Sequence, residues 1–251
     1  MILADYHVHT DFCDGKNSPE EMVLAAIKRG MRAIGFSGHS YTHFDDSWCM
    51  SEEGTCNYLS TINELKKKYA SEIQIYCGIE ADYHASINKA EFDYAIGSVH
   101  YLLIDGEYIP VDESAEILQQ AAEKHCEGDI YRIAEIYYDT LASVVDKTNC
   151  DIIGHFDLIS KFNENSVLFD EAHPRYISAY QSAADRLLTS GKYFEINTGA
   201  IARGYKTKPY PAPAVHNYLR QHGARFLLSG DAHDINSLCF EFDRWEFMLH
   251  S

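Results

Sequence analysis

The sequence predicts an α/β domain built on a parallel sheet, and three observations carry that prediction. Seven apolar runs of strand length, rich in Ile, Val, Phe and Tyr, recur along the chain: "MILADYH", "RAIGFSGH", "IQIYCGIE", "DYAIGSVH", "DIIGHFD", "KYFEINT" and "ARFLLSGDAH". Segments of helical period separate many of them, and six of the seven runs end in a residue able to bind a metal. Alternating strands and helices require crossover connections, hence a parallel sheet. Seven strands can close into a barrel or stay open as a doubly wound sheet. No Gly-rich phosphate loop follows the first run, which argues against the dinucleotide-binding form of the open sheet. The 251 residues are 46% hydrophobic, enough for one substantial core, so residues 1–251 read as a single domain.

The elements follow in order. The first run leads into His7 and His9, and "SPEEMVLAAIKRG" then reads as a helix. Ser18 is its N-cap, Pro19 its first residue, Glu21 the partner in a capping box and Gly30 its stop. The second run ends in His39. The stretch from Tyr41 to Asn57 is the least regular in the chain and is expected to be a loop near the site. The third run ends in Glu80 and the fourth in His100, with "SAEILQQAAEKHCEG" and "DIYRIAEIYYDTLASVVDKT" as the helices that follow. His155 ends the fifth run, before the helix "HPRYISAYQSAADRLLTSG". The sixth run precedes an irregular Tyr/Lys/Pro-rich stretch, Ile201 to Pro213, and the helix "APAVHNYLRQHG". Asp231 and His233 end the seventh. There is no internal repeat or low-complexity linker.

Composition excludes some partners. The net charge is −17, with 38 acids against 21 bases, so the Lys/Arg surface that a nucleic-acid backbone demands is missing. An anionic ligand would need a local positive centre, which bound divalent cations can supply. The cysteines at 13, 49, 56, 77, 126, 150 and 239 form no CxxC pair and are odd in number, which fits a reduced compartment. Met1 leads into "ILADYH" without a leader pattern, and no apolar run is of membrane length. A soluble, cytoplasmic protein with no membrane partner is the expectation.

Each ligand-type residue has an ordinary reading on its own. "HVH" places two imidazoles on one face of a strand, where they could be buried and hydrogen-bonded. Asp231 could cap a helix, and Asp14, in Asp-Gly, suits a turn. Glu80 closes an apolar run, where an unpaired carboxylate is costly, so a cation must meet it. Taken together, the repeated strand-end position favours one shared rim, because barrel enzymes build their sites at the carboxyl ends of strands. Such a His/Asp/Glu set suits Zn²⁺, Mn²⁺ or Fe²⁺. Cys13 is read as packing. His43 and His84 follow ligand-bearing strands and are candidates for supporting or substrate contacts. His125, His216 and His222 fall in helical contexts and are expected at the surface.

These residues lie in motifs that resemble a known family. "HVHT", "GH" at 38–39, "GIE", "IGSVH", "IGHFD" and "SGDAH" resemble the successive motifs of the PHP (polymerase and histidinol phosphatase) superfamily. "FDYAIGSVHYL", "IGHFDLISKF" and "FEINTGA" are similar, more narrowly, to its monofunctional histidinol-phosphate phosphatases. The resemblance implies a distorted (β/α)7 barrel, TIM-barrel-like, with three divalent metal ions. His7, His9, Glu80 and Asp231 would hold the first, Glu80, His100 and His155 the second, and Asp14, His39 and His233 the third. The implied activity is metal-dependent hydrolysis of L-histidinol phosphate in histidine biosynthesis. The alternatives are another small phosphate ester, such as phosphotyrosine or a nucleotide, and a non-catalytic metal-binding barrel. Asp231, Glu80 and Arg203 would be catalytic, Arg203 also binding phosphate with Arg132 as a second arginine. Two positions depart from the family pattern: Gly38 stands where relatives often carry an acid, and Ile136 where they often carry arginine. For the substrate's tail, His43, Asp45, Asp46, Trp48, Tyr101 and Asp157 lie on loops after ligand strands.

Overall fold

The computed structural model describes residues 3–250. Nine strands form: β1 (Ala4–Asp5), β2 (Ala33–Phe36), β3 (Gln74–Asp82), β4 (Tyr94–Ser98), β5 (Tyr101–Ile104), β6 (Glu107–Pro110), β7 (Ile152–Ile153), β8 (Tyr193–Asn197) and β9 (Arg225–Ser229). Seven of them pair in parallel in the order β1-β2-β3-β4-β7-β8-β9. The seam between β1 and β9 closes just past the strands, where Val8 bridges Ala232 and the amides of His9 and Ala232 donate to Ala232 O and His7 O, both at 2.9 Å. The outcome is a nearly closed seven-stranded barrel rather than an open doubly wound sheet.

Helices α1 (Pro19–Lys28), α2 (Glu52–Lys68), α3 (Ala115–His125), α4 (Ile130–Leu141), α5 (Val144–Thr148), α6 (Pro174–Leu188), α7 (Gly199–Ala202), α8 (Pro213–Gln221) and α9 (Phe242–Trp245) surround it. The α1 capping box forms between Ser18 and Glu21. The long predicted helix after α3 breaks into α4 and α5. The expected loop Tyr41–Asn57 is shorter than predicted, because Ser51 caps α2 by accepting from the Gly54 amide at 2.9 Å. β5 and β6 form an antiparallel hairpin absent from the sequence reading, turned by Asp105 and Gly106 with φ of 51° and 83°. His216 is a further correction: it is buried, with Nε2 2.9 Å from Met248 O. None of the seven cysteines is paired, and no helix among the described residues is long and apolar enough to cross a membrane.

One core lies between β4, β7, β8 and helices α3, α4, α6 and α8, with Tyr137, Tyr138, Phe156 and Tyr176 at its centre; another lies between β1–β3 and helices α1 and α2. Inside the barrel, Tyr94 fills the floor, its hydroxyl donating to Tyr6 O at 2.6 Å. Glycines make that possible. A Cβ on Gly78 would come within 2.3 Å of Tyr94 Cζ, and one on Gly35 within 2.5 Å of Tyr94 Oη. With the amino end plugged, the opposite mouth is left for polar side chains.

Candidate metal centre

All but one of the ligand-type side chains reach that mouth from the carboxyl end of a strand. His7 and His9, two residues apart beyond β1, share a face and are fully buried. His39 follows β2 and bridges Glu80 of β3; His100, His155 and the pair Asp231 and His233 follow β4, β7 and β9. Asp14 enters from the turn after His9.

Three constellations result. His7 Nε2 and His9 Nε2 stand 3.1 and 3.4 Å from Glu80 Oε2, and 3.7 and 3.4 Å from Asp231 Oδ1. His100 Nε2 and His155 Nε2 lie 3.4 and 3.0 Å from the other oxygen, Glu80 Oε1. Asp14 is 3.6 Å from His39 Nε2 and 3.1 Å from His233 Nε2. Glu80 thus faces the first two groups at once.

The donors fit divalent cations. His7 Nε2, His9 Nε2 and Glu80 Oε2 are buried with no hydrogen-bond partner, a costly state for polar atoms unless something else meets them. The sets His9/Asp14/His39/His233, His7/His9/Glu80 and His39/Glu80/His100 each bring ligand atoms within 4.8 Å of one another. Burial and the facing rings of His233 and His39 push His9 down to about 3, which keeps it the neutral imidazole that coordination requires. Burial alone would raise the Glu80 carboxyl, but His7, His39 and His100 outweigh it and hold the group well below its usual range. Asp231 is held low in the same way, by Arg203 and His7.

A supporting layer fixes these side chains. Glu195 of β8, fully buried, accepts from His7 Nδ1 at 2.6 Å, Ser229 Oγ at 2.8 Å, the His155 amide at 2.9 Å and Asn197 Nδ2 at 3.1 Å. Asp82 accepts from the His100 amide at 3.1 Å and lies 3.3 Å from His100 Nδ1. Sequence reasoning assigned neither role. Asp231 takes a left-handed backbone conformation, φ 47°, unusual for a residue with a side chain. Gly199 makes room for it, since a Cβ there would lie 2.7 Å from Asp231 Cβ.

Arg203, at the end of α7, donates to Asp231 Oδ2 at 2.9 Å and to Asp231 O at 3.2 Å, and its Nη1 is 2.8 Å from His233 Nδ1. It lines a 160 Å³ cavity over the ligands together with Lys161 and Tyr205. Lys161, also missed, is buried; its Nζ donates to Asp112 O at 2.7 Å and sits 4.9 Å from the Tyr205 ring. Arg132 lies elsewhere: it is 52% exposed on α4 and paired with Glu135 at 3.3 Å. Ile136 on the same helix is half-buried against the core.

The tail candidates separate as well. Tyr101, Asp45 and Trp48 meet in a second cavity of 340 Å³ that shares Asp14, His39, His100 and Asp112 with the first. His43 is exposed outside it, edge-on to Phe44 at 5.2 Å and to Tyr108 at 6.0 Å. Asp46 is exposed, and Asp157 is buried beneath, accepting from the Ala212 amide at 2.8 Å. A Cβ on Gly38 would be 3.2 Å from Met50 Cε, so Met50 crowds the position where an acid was expected. Cys13 packs 3.5 Å from His9 Nδ1, and burial pushes its thiol up to about 12, in keeping with a packing role.

Known proteins share this architecture. The chain is 28% identical over 251 residues to the "Probable histidinol-phosphatase" of Deinococcus radiodurans, covering 96% of this chain and 90% of that one. It is 25% identical over 268 residues to the "Histidinol-phosphatase" of Bacillus subtilis, covering 97% and 98%. Among solved structures, hisK from Listeria monocytogenes superposes with a TM-score of 0.82 at 20% identity, covering 96% of this chain and 99% of that one. Histidinol phosphate phosphatase from Lactococcus lactis, solved with zinc, L-histidinol and phosphate, superposes with a TM-score of 0.72 at 21% identity, covering 98% and 94%. The PHP domain family itself matches residues 5–199, well over half of the chain, and these residues supply all the strand-end ligands except Asp231 and His233. Barrel, rim and family match agree: the chain belongs to the PHP domain family.

Proposed function

We propose that this chain is a metal-dependent phosphomonoesterase that hydrolyses L-histidinol phosphate to L-histidinol and phosphate, with residues 1–251 forming one catalytic domain. The observation that carries the reading is the convergence of unpartnered, buried ligand atoms beside Arg203 at the mouth of the barrel. The names of the relatives support the substrate.

His7, His9, Glu80 and Asp231 would hold one divalent ion, Glu80, His100 and His155 a second, and Asp14, His39 and His233 a third; the donor types suit zinc, manganese or iron. Bound there, such ions supply Lewis acidity, an activated water at neutral pH and positive charge for the phosphoryl oxygens. The chain's own residues do the rest. Glu195 and Asp82 fix the orientation of His7 and His100. Arg203 presents its guanidinium to the cavity, where it can form charge-assisted bonds to phosphoryl oxygens. Lys161 adds a second cation on the same wall, in the role that Arg132 cannot reach. Asp231, ionised and held by Arg203, is placed to accept a proton from a nucleophilic water. Tyr205 and Leu158 narrow the mouth.

The test is a comparison of kcat/KM for L-histidinol phosphate, phosphotyrosine and nucleoside monophosphates with the metal-loaded protein, alongside Glu80→Gln. Preference for another ester by orders of magnitude overturns the substrate. Equal, negligible activity in wild type and variant overturns catalysis.

A further inference from the structure

Ser98, the serine of "IGSVH", shares the inner face of β4 with Tyr94 and Ile96 and is fully buried. Most side-chain hydrogen bonds go to backbone or water. This one goes to a proposed metal ligand: Ser98 Oγ donates to Glu80 Oε1 at 2.6 Å, and among the described residues its side chain makes no other hydrogen bond. The neighbouring strand is shaped around that bond. A Cβ on Gly154, just past β7, would lie 2.5 Å from Ser98 Oγ, so glycine there admits the hydroxyl. The two oxygens of Glu80 are consequently unequal. Oε2 has no hydrogen-bond partner and faces His7 Nε2, His9 Nε2 and His39 Nδ1 at 3.1, 3.4 and 2.9 Å. A carboxylate oxygen offers two lone-pair sites. On Oε1 the serine takes one, which leaves one toward His155 Nε2 and His100 Nε2, 3.0 and 3.4 Å away.

We infer that Ser98 is a positioning residue for the metal centre: its hydroxyl sets the plane of the Glu80 carboxylate, so that Oε1 serves the ion held with His100 and His155 while Oε2 stays with His7 and His9. The assignment rests on the metal-centre reading given above. The last torsion of a glutamate side chain is soft, and among the described residues no other hydroxyl and no backbone amide holds Oε1. Left free, the carboxylate could turn both oxygens onto one ion. A short O–H···O⁻ bond is of the strong, charge-assisted kind, and partners that orient a ligand are worth about 10–100-fold in metal affinity. The cost of losing Ser98 therefore falls on one ion rather than on the whole set.

The test is stepwise zinc binding by the metal-stripped chain, measured by competition with a chromophoric chelator, with zinc counted by elemental analysis after dialysis. Ser98→Ala is expected to raise one stepwise Kd about 10–100-fold, to leave the other steps within about twofold, and to lose about one ion per chain on dialysis. In a His155→Ala background, where that ion has already lost a ligand, Ser98→Ala is expected to change the remaining steps by less than about twofold, because the two substitutions act on the same ion. Unchanged steps in Ser98→Ala overturn the assignment. So does an equal weakening of every step, the mark of a merely structural role, and so does an undiminished effect in the His155→Ala background. Should Ser98→Ala fail to fold, Gly154→Ala displaces the same hydroxyl and is expected to weaken the same single step. Wild type that binds no zinc overturns the metal centre and this assignment together. A single weakened step in a protein that hydrolyses no ester supports Ser98 and sinks only the phosphatase reading.

Discussion

Glu195→Gln probes how far the metal centre depends on a residue that touches none of the proposed ions. The carboxylate takes four donors, two at each oxygen, and His7 Nδ1 is the nearest at 2.6 Å. Glutamine retains the shape but turns one oxygen into an NH2 group. If that group faces the His155 amide, donor meets donor. If it faces His7, the ring must accept at Nδ1 and carry its proton on Nε2, the atom that points at Glu80 and Asp231. Either orientation strands a buried polar group, at a cost of roughly 1–3 kcal/mol. Loss of such a partner typically weakens metal affinity about 10–100-fold, or about 1.4–2.7 kcal/mol. The expected outcome is a zinc Kd raised by that factor when metal-stripped protein competes with a chromophoric chelator, and a smaller zinc-induced rise in Tm. A Kd within twofold of wild type, with an undiminished Tm shift, would refute the claim that Glu195 sets the tautomer of His7.

Other perturbations have equally definite outcomes. Burial pushes Asp157 up to about 6 from 3.8, despite nearby Lys206, so its ionisation costs the folded state. That penalty is absent below pH ~4, grows as pH rises, and is complete above pH ~6 at about 3 kcal/mol. Asp157→Asn should therefore gain Tm relative to wild type between pH 4.5 and 7.5; a pH-independent offset contradicts this. Gly199→Ala puts a methyl 2.8 Å from Asp231 Oδ2 and should displace that ligand, costing about 1–3 kcal/mol and lowering bound metal by elemental analysis. Full metal content would show that Asp231 has room to move. Arg203→Ala should reduce kcat for L-histidinol phosphate about 10²–10³-fold, whereas Arg132→Ala, far from the cavity, should leave it within about twofold. Comparable losses in steady-state assays would restore Arg132 to the site.

The ligands were legible in the sequence because each interrupts an apolar run where a strand gives way to a loop, and chemistry has to sit at such junctions. Glu195 sits mid-strand in β8 rather than at such a junction; its meaning lies in a ring 188 residues away, and nothing near "KYFEINT" points to it. Lys161 lies inside a family motif, but its role depends on the segment just past the hairpin, which brings Asp112 to its amine. The hairpin had a readable signal in Asp105-Gly106 between apolar runs, hidden by its position inside an expected crossover. Arg132 failed for a geometric reason: its side chain leaves α4 toward solvent, where it pairs with Glu135. Asp45 and Asp46 are neighbours of the same type, and only the fold of their loop decides that the first reaches Tyr101 and the second reaches solvent.

The bridge between Val8 and Ala232 also governs when the ligand set can come into being. It closes a chain segment of more than two hundred residues, with His7 and His9 on one side and Asp231 and His233 on the other. Closing so long a segment loses chain entropy that only finished contacts offset. A chain emerging from the ribosome as far as His155 presents seven of the nine ligands, but without the last two neither the first nor the third constellation is complete. On the proposed ligand assignment, the first and third ions can be held only once the barrel has closed, whereas the second set is already in the chain by His155.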